Sequence, residues 1–136
     1  MNANYDLLKA ACAEARKGAL QGGVAAGSVL AEGHRIVGRG HDRTVQQHDP
    51  IAHATMDCLR CAGRRTDHPA LTLYATRTPC IMCIGTLLQF GVGDVVIGDG
   101  SKDDALLDLL RDKGVSVAVI ADPACLALHE GNARDA

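Results

Sequence analysis

The sequence predicts an α/β domain, a three-layer α/β/α sandwich around a five-stranded mixed sheet. Three observations predict it. Apolar residues recur at helical spacing in several stretches, as at Leu7, Leu8, Ala11, Cys12, Ala15 and Ala19. Five short β-rich runs alternate with those stretches. The first two runs are joined by a Glu32-Gly33 turn and so pair antiparallel. The last three are joined by helices and so run parallel.

In chain order, a helix is predicted from Tyr5 to about Leu20, capped by Asn4 and closed by Gln21-Gly22-Gly23. A strand from Val24 to Ala31 returns as Arg35 to Gly40, and a polar loop runs from His41 to Pro50. The next helix runs from Ile51 to a stop at Gly63. Leu71 to Thr76 is a strand, and Thr78-Pro79 opens a helix to Phe90, with Pro79 in its first turn. Strands at Asp94 to Gly98 and Val115 to Ile120 flank a helix from Lys102 to Lys113. Asp122-Pro123 starts a last helix through His129, and residues 130–136 form a polar tail.

A chain of 136 residues suffices for one domain, 1–136, and is too short for two. Its net charge of −2 and its three aromatic residues, Tyr5, Tyr74 and Phe90, argue against a long nucleic acid as partner. The N-terminus lacks the pattern of a signal peptide, and no apolar run is long enough to span a membrane, so a cytoplasmic location is expected. In that compartment the six cysteines read as thiols or metal ligands.

Cys80-Ile81-Met82-Cys83 puts two sulfurs one helical turn apart on one face, at a helix N-terminus that favours thiolates. His53, from the start of another helix, offers a third ligand. A zinc ion with three protein ligands keeps one position open, which is the catalytic pattern. A rival exists in Cys58-Leu59-Arg60-Cys61, which forms C-x2-C-x18-C-x2-C with Cys80 and Cys83, the spacing of a four-cysteine structural site. In a helix begun near Ile51, Cys61 lies about 12 Å along the axis from His53, so those two cannot share an ion. Cys58 and Cys61 then read as core cysteines.

Four stretches together resemble the cytidine/deoxycytidylate deaminase superfamily, closest to its cytosine deaminase and tRNA-adenosine deaminase branch. They are Gly22-Gly23-Val24, Gly38-Arg39-Gly40-His41, the run from His48 to Ala54, and Thr78-Pro79-Cys80-Ile81-Met82-Cys83. They stand in family order and spacing over most of the chain. The resemblance implies a cytidine deaminase-like fold, a Zn2+ cofactor on His53, Cys80 and Cys83, hydrolytic deamination of a nucleobase-like heterocycle, and a homodimer. It also implies that Val24, Ala25 and Ala26, with Gly27, offer backbone groups to the substrate, and that Thr78 belongs to the substrate site.

Two positions depart from the family. The glutamate that shuttles protons two residues past the zinc-binding histidine is replaced by Thr55, whose hydroxyl can hydrogen-bond but cannot shuttle a proton at neutral pH. The asparagine that follows Gly-x-Gly-x is replaced by Asp42. An aspartate there accepts hydrogen bonds only, favours a substrate edge rich in N–H donors, and is the candidate proton shuttle. The competing role for Asp42 is a turn cap in a polar loop.

Thr55 and Asp42 are thus the candidate catalytic pair, with carboxylate chemistry moved from one loop to another. His48 and Asp49 are expected to shape the loop, Asp57 to point away from the metal, and His34, His68 and His129 to face solvent. The family's aromatic C-terminal cover is missing from residues 129–136, which implies a more open pocket or one capped by a neighbouring subunit. Two functions follow: a zinc-dependent aminohydrolase with a non-standard proton shuttle, or a catalytically silent zinc subunit that binds a ligand or partner.

Overall fold

The apolar stripe Leu7, Leu8, Ala11, Cys12 and Ala15 is buried along one side of α1 (Ala3–Leu20), while Ala19 is exposed. The structure, a computed structural model, describes residues 3–65, 70–100 and 104–129. Asn4 lies inside α1, so it does not cap it. The other end closes as the glycines foretell. Gly22, at φ 84°, donates to Ala19 O at 3.0 Å, and Gly23 donates to Gly18 O at 3.0 Å, which makes a Schellman motif.

β1 (Gly27–Glu32) and β2 (Arg35–His41) form a hairpin across Gly33 and His34, with a register shift at Leu30/Ala31. The strand foreseen from Val24 starts only at Gly27. Residues 24–26 instead make a tight turn, Ala26 N to Val24 O at 3.0 Å. α2 (Ala54–Ala62) begins three residues later than the apolar pattern suggests, because Ile51 and Ala52 are held in turns and His53 is extended at φ −71°, ψ 161°.

β3 (Leu71–Ala75) leads to α3 (Ile81–Phe90), whose N-cap is Cys80. Pro79 therefore precedes the cap and is not in the first turn. β4 (Asp94–Ile97), α4 (Asp104–Asp112), β5 (Ser116–Val119) and α5 (Pro123–His129) complete the described chain. The start expected at Lys102, the side chain of His129, His68 and the tail from 130 lie outside the described residues.

The sheet order is β2-β1-β3-β4-β5. β1 is antiparallel to both neighbours, and β3, β4 and β5 are mutually parallel. Strand alternation separates two apolar layers. Leu30, Leu71, Leu73, Ala75, Val95 and Ile97 face one layer with Cys58, Ile84, Leu87, Leu107 and Leu110 of α2, α3 and α4. Val29, Ala31, Tyr74 and Val96 face the other with α1 and Cys125 of α5. The molecule is thus the α/β/α sandwich foreseen, and two helix N-termini, those of α2 and α3, meet on one side of it.

Candidate zinc centre and substrate site

Neither His53 nor Cys80 sits within a helix. Each is the residue just before one, extended in backbone and with no side-chain cap bond, which leaves its side chain free to reach across. Cys83 lies one turn inside α3 and is fully buried. His53 Nδ1 lies 3.4 Å from Cys80 Sγ and 3.7 Å from Cys83 Sγ, and the two sulfurs are 3.6 Å apart.

Tetrahedral zinc, with Zn–S about 2.3 Å and Zn–N about 2.0–2.1 Å, sets S···S at about 3.8 Å and N···S at about 3.6 Å. The three edges match one face of such a tetrahedron to within about 0.2 Å. The donor set fits zinc in size and in softness.

Electrostatics point the same way. The Cys80 thiol is held down at about 5, chiefly by its side-chain contact with Cys83, then by the backbone N–H groups of Cys83 and Met82 and by His53. Burial opposes that shift. Cys83 is pushed up while its neighbour carries the charge, and it receives a bond from the Thr55 hydroxyl. No acidic residue in the first turn of α3 offsets the positive end of its dipole.

The other CxxC is remote from this chemistry. Cys58 is buried in the layer beneath the sheet, and burial pushes its thiol well up. Cys61 is exposed, contrary to the core role expected of it, because it lies outside the face of α2 from which Cys58, Leu59 and Ala62 pack on the core. Neither joins Cys80 and Cys83 among the metal-competent groups of the described residues, which disposes of the four-cysteine site.

Thr55 is buried at 3% exposure and commits its hydroxyl to Ser28 Oγ at 3.3 Å and to the Cys83 sulfur. It stands where an acid/base group is expected and is instead a neutral brace between β1 and Cys83. Ser28 was not visible as a site residue in the sequence, because only the folded chain brings it to Thr55.

Asp42 is buried at 1% exposure, immediately after β2. Its Oδ1 accepts from Thr44 N at 2.9 Å and from Thr44 Oγ1 at 2.6 Å, so the turn-capping role is present. Its Oδ2 has no hydrogen-bond partner among the described residues, so one oxygen remains uncommitted. Backbone bonds fix where this loop lies. Asp42 N donates to Ala26 O at 3.0 Å, and Arg43 N to Ala52 O, the residue before His53, at 2.9 Å. Asp57 grips both flanks: its Oδ2 accepts from His41 N at 3.1 Å and Arg43 Nε at 3.0 Å. Sequence periodicity gave no sign of this clamp, which commits Asp57 to the loop after β2.

Of the residues expected to hold substrate, Val24 and Ala26 bury their side chains with Ala54. The Ala26 carbonyl is spent on Asp42 and the Gly27 N–H on Thr76 Oγ1. Among the described residues, the N–H of Val24 and both backbone groups of Ala25 remain unpaired. Thr78 is buried, and its hydroxyl has no partner among the described residues. His48, at φ 50°, and Asp49, whose Oδ1 accepts from Ile51 N at 3.0 Å, shape the loop as foreseen. His34 is exposed.

Comparison with known proteins places this geometry in a family. The family model for the cytidine and deoxycytidylate deaminase zinc-binding region matches residues 1–99. A cytosine deaminase of Candida albicans is 33% identical over 124 residues, 89% of this chain and 83% of that protein. A tRNA-specific adenosine deaminase of Buchnera aphidicola is 36% identical over 85 residues, 60% of this chain and 56% of that one. Among solved structures, a guanine deaminase from Nitrosomonas europaea superposes with a TM-score of 0.78 at 21% identity, covering 94% of this chain and 84% of its own, which is a likeness of fold. With its zinc-binding region matched and nine-tenths of its length aligned to one curated member, the chain belongs to the cytidine and deoxycytidylate deaminase family.

Proposed function

We propose that the chain is a zinc-dependent aminohydrolase acting on the cyclic amidine-type C–N bond of a small, amino-substituted heterocycle. The observation that carries this is the His53–Cys80–Cys83 triangle, whose edges have the lengths of a zinc face. Zinc held by those three residues supplies a Lewis-acid centre that brings the pKa of a bound water near 7. The chain's own residues supply the rest. Thr55 braces Cys83 and cannot take a proton at neutral pH.

Asp42 carries the proton from the attacking water to the leaving amine through Oδ2, while Oδ1 stays on Thr44. Its burial, its uncommitted oxygen and the tie of its loop to the residue before His53 support the assignment. Val24 N–H, the Ala25 backbone and the Thr78 hydroxyl are the groups left to hold the ring. An acceptor-only carboxylate selects a ring edge rich in N–H donors.

A small substrate, not tRNA, is favoured by the net charge of −2 and by the aromatics. Tyr74 is buried, Phe90 packs against the core, and Tyr5 lies on α1, so no stacking platform stands beside the site. A single domain over 1–136 and a homodimer complete the proposal. Ile51 and Ile81, both exposed apolar side chains beside His53 and Cys80, support the second. No helix among the described residues is long and apolar enough to cross a membrane.

One observation favours a catalytically silent zinc subunit instead: the Thr55 hydroxyl is fully committed to Ser28 and Cys83. An ammonia-release screen of the zinc-loaded chain over amino-pyrimidines, purines, triazines and pterins separates the two. Turnover of any member removes the silent subunit. Thr55→Glu in the same screen is expected to gain cytosine or guanine turnover, since it returns a carboxylate two residues past His53.

A further inference from the structure

Far from the zinc face, on the other side of the sheet, α1 and α5 bring together two cysteines that are 113 residues apart. Cys12 Sγ and Cys125 Sγ lie 2.9 Å from each other, and both are buried, at 2% and 0% exposure. That separation lies between the about 2.05 Å of a disulfide and the about 3.8 Å of two sulfurs on one tetrahedral zinc.

The surroundings decide between the two chemistries. Asp122, the third potential ligand of the cluster, is already occupied. Its Oδ2 accepts from Cys125 N at 3.1 Å and caps α5, and its carboxylate also accepts from the Tyr5 hydroxyl. On the remaining side the backbone of Gly98 presses against Cys125, and a Cβ at that position would run into the Cys125 sulfur. A metal there lacks a free third ligand and room for a fourth. Two sulfurs this close, with no third ligand between them, are placed to bond to each other once an oxidant removes two electrons.

We propose that Cys12 and Cys125 are a modification site: they form a reversible intramolecular disulfide that clips α5 to α1. The oxidant is a hydroperoxide. The two sulfurs share one S–H···S contact at 2.9 Å, and that contact holds the Cys12 thiol below its ordinary value, which makes Cys12 the attacking sulfur. Its thiolate attacks the peroxide oxygen, the O–O bond breaks, and Cys12 becomes a sulfenic acid as the other oxygen leaves as water or alcohol. The Cys125 sulfur then displaces the sulfenic oxygen, which departs as water with the Cys125 proton. Two thiols lose two electrons and the peroxide gains them. The resulting bond ties the last described helix to the first. It closes a loop of over a hundred residues, the arrangement in which a cross-link most restricts the unfolded chain.

The test uses the zinc-loaded full chain, in which Cys80 and Cys83 are held by metal. After treatment with hydrogen peroxide, free thiols are alkylated and the protein is digested without reductant for mass spectrometry. The expected result is a linked peptide pair containing Cys12 and Cys125, with two fewer alkylated thiols. An unfolding temperature raised by at least about 5 °C and reversed by dithiothreitol should accompany it. In Cys125→Ser the link is absent, and dimedone traps Cys12 as the sulfenic acid. Recovery of Cys12 and Cys125 both alkylated after peroxide overturns the proposal, as does a link joining any other pair. A second equivalent of bound zinc, lost in the Cys12→Ser/Cys125→Ser double variant, overturns it in favour of a metal site.

Discussion

At the scale of single residues, the site divides into groups that hold charge and groups that hold position. Cys80 holds charge. Because its thiol is pushed down to about 5, the metal-free chain should carry the Cys80 thiolate at all pH values above that point and lose it only below. Iodoacetamide labelling of Cys80 is therefore expected to be flat from about pH 7 to 9 and to fall by half near about pH 5. A rate that climbs through pH 8–9, as for an ordinary cysteine, contradicts the hydrogen bonds assigned to it. Thr55 holds position. Thr55→Val removes the hydroxyl from Ser28 and Cys83 at constant shape. It should cost about 1–3 kcal/mol of stability in urea titration, since the buried Ser28 hydroxyl loses its partner. Zinc affinity, measured by competition with a chelator, should fall about 10-fold or more through the loss of support to Cys83.

At the scale of elements, the sequence and the fold agree where short-range patterns decide. The Cys-x-x-Cys pair declares itself by spacing, and the parallel order of β3, β4 and β5 follows from the helices that join them. They part where tertiary contacts decide. His53 and Cys80 are helix caps by position without being capping residues by type, so the sequence pattern puts the starts of α2 and α3 a few residues before the true ones. Cys61 shares its motif with Cys58 yet faces solvent, because it falls outside the one face by which the helix packs on the sheet. The link between Asp57 and the Asp42 loop spans 14 to 16 residues and leaves no periodic trace. Asp57→Ala tests that link. Loss of an acceptor for His41 N–H and Arg43 should cost about 1–3 kcal/mol. It should also lower kcat/KM by more than stability explains, because both flanks of Asp42 are released. Unchanged kinetics would show that the loop holds itself in place.

At the scale of the whole molecule, α2 and α3 lie on the same side of the sheet, with the residues proposed to hold zinc gathered at their N-terminal ends, whereas α1 and α5 cover the opposite face. The zinc face thus joins β2-linked α2 to β3-linked α3, and metal binding should stabilise the domain as a unit. Chelation is expected to lower the midpoint of a single cooperative unfolding transition by about 14 °C, corresponding to about 4 kcal/mol of linkage at zinc a thousandfold above its dissociation constant. Two separate transitions would instead mean that the layers unfold independently. What zinc binding alone does not establish is where the proton goes, and that is the centre of the functional proposal. The most direct measurement is ammonia release by zinc-loaded wild type and Asp42→Ala over the heterocycle panel, with zinc content verified for both. Turnover in wild type that falls at least about 100-fold in the variant is the expected result. Full activity in Asp42→Ala, or no release by wild type from any heterocycle, would contradict it.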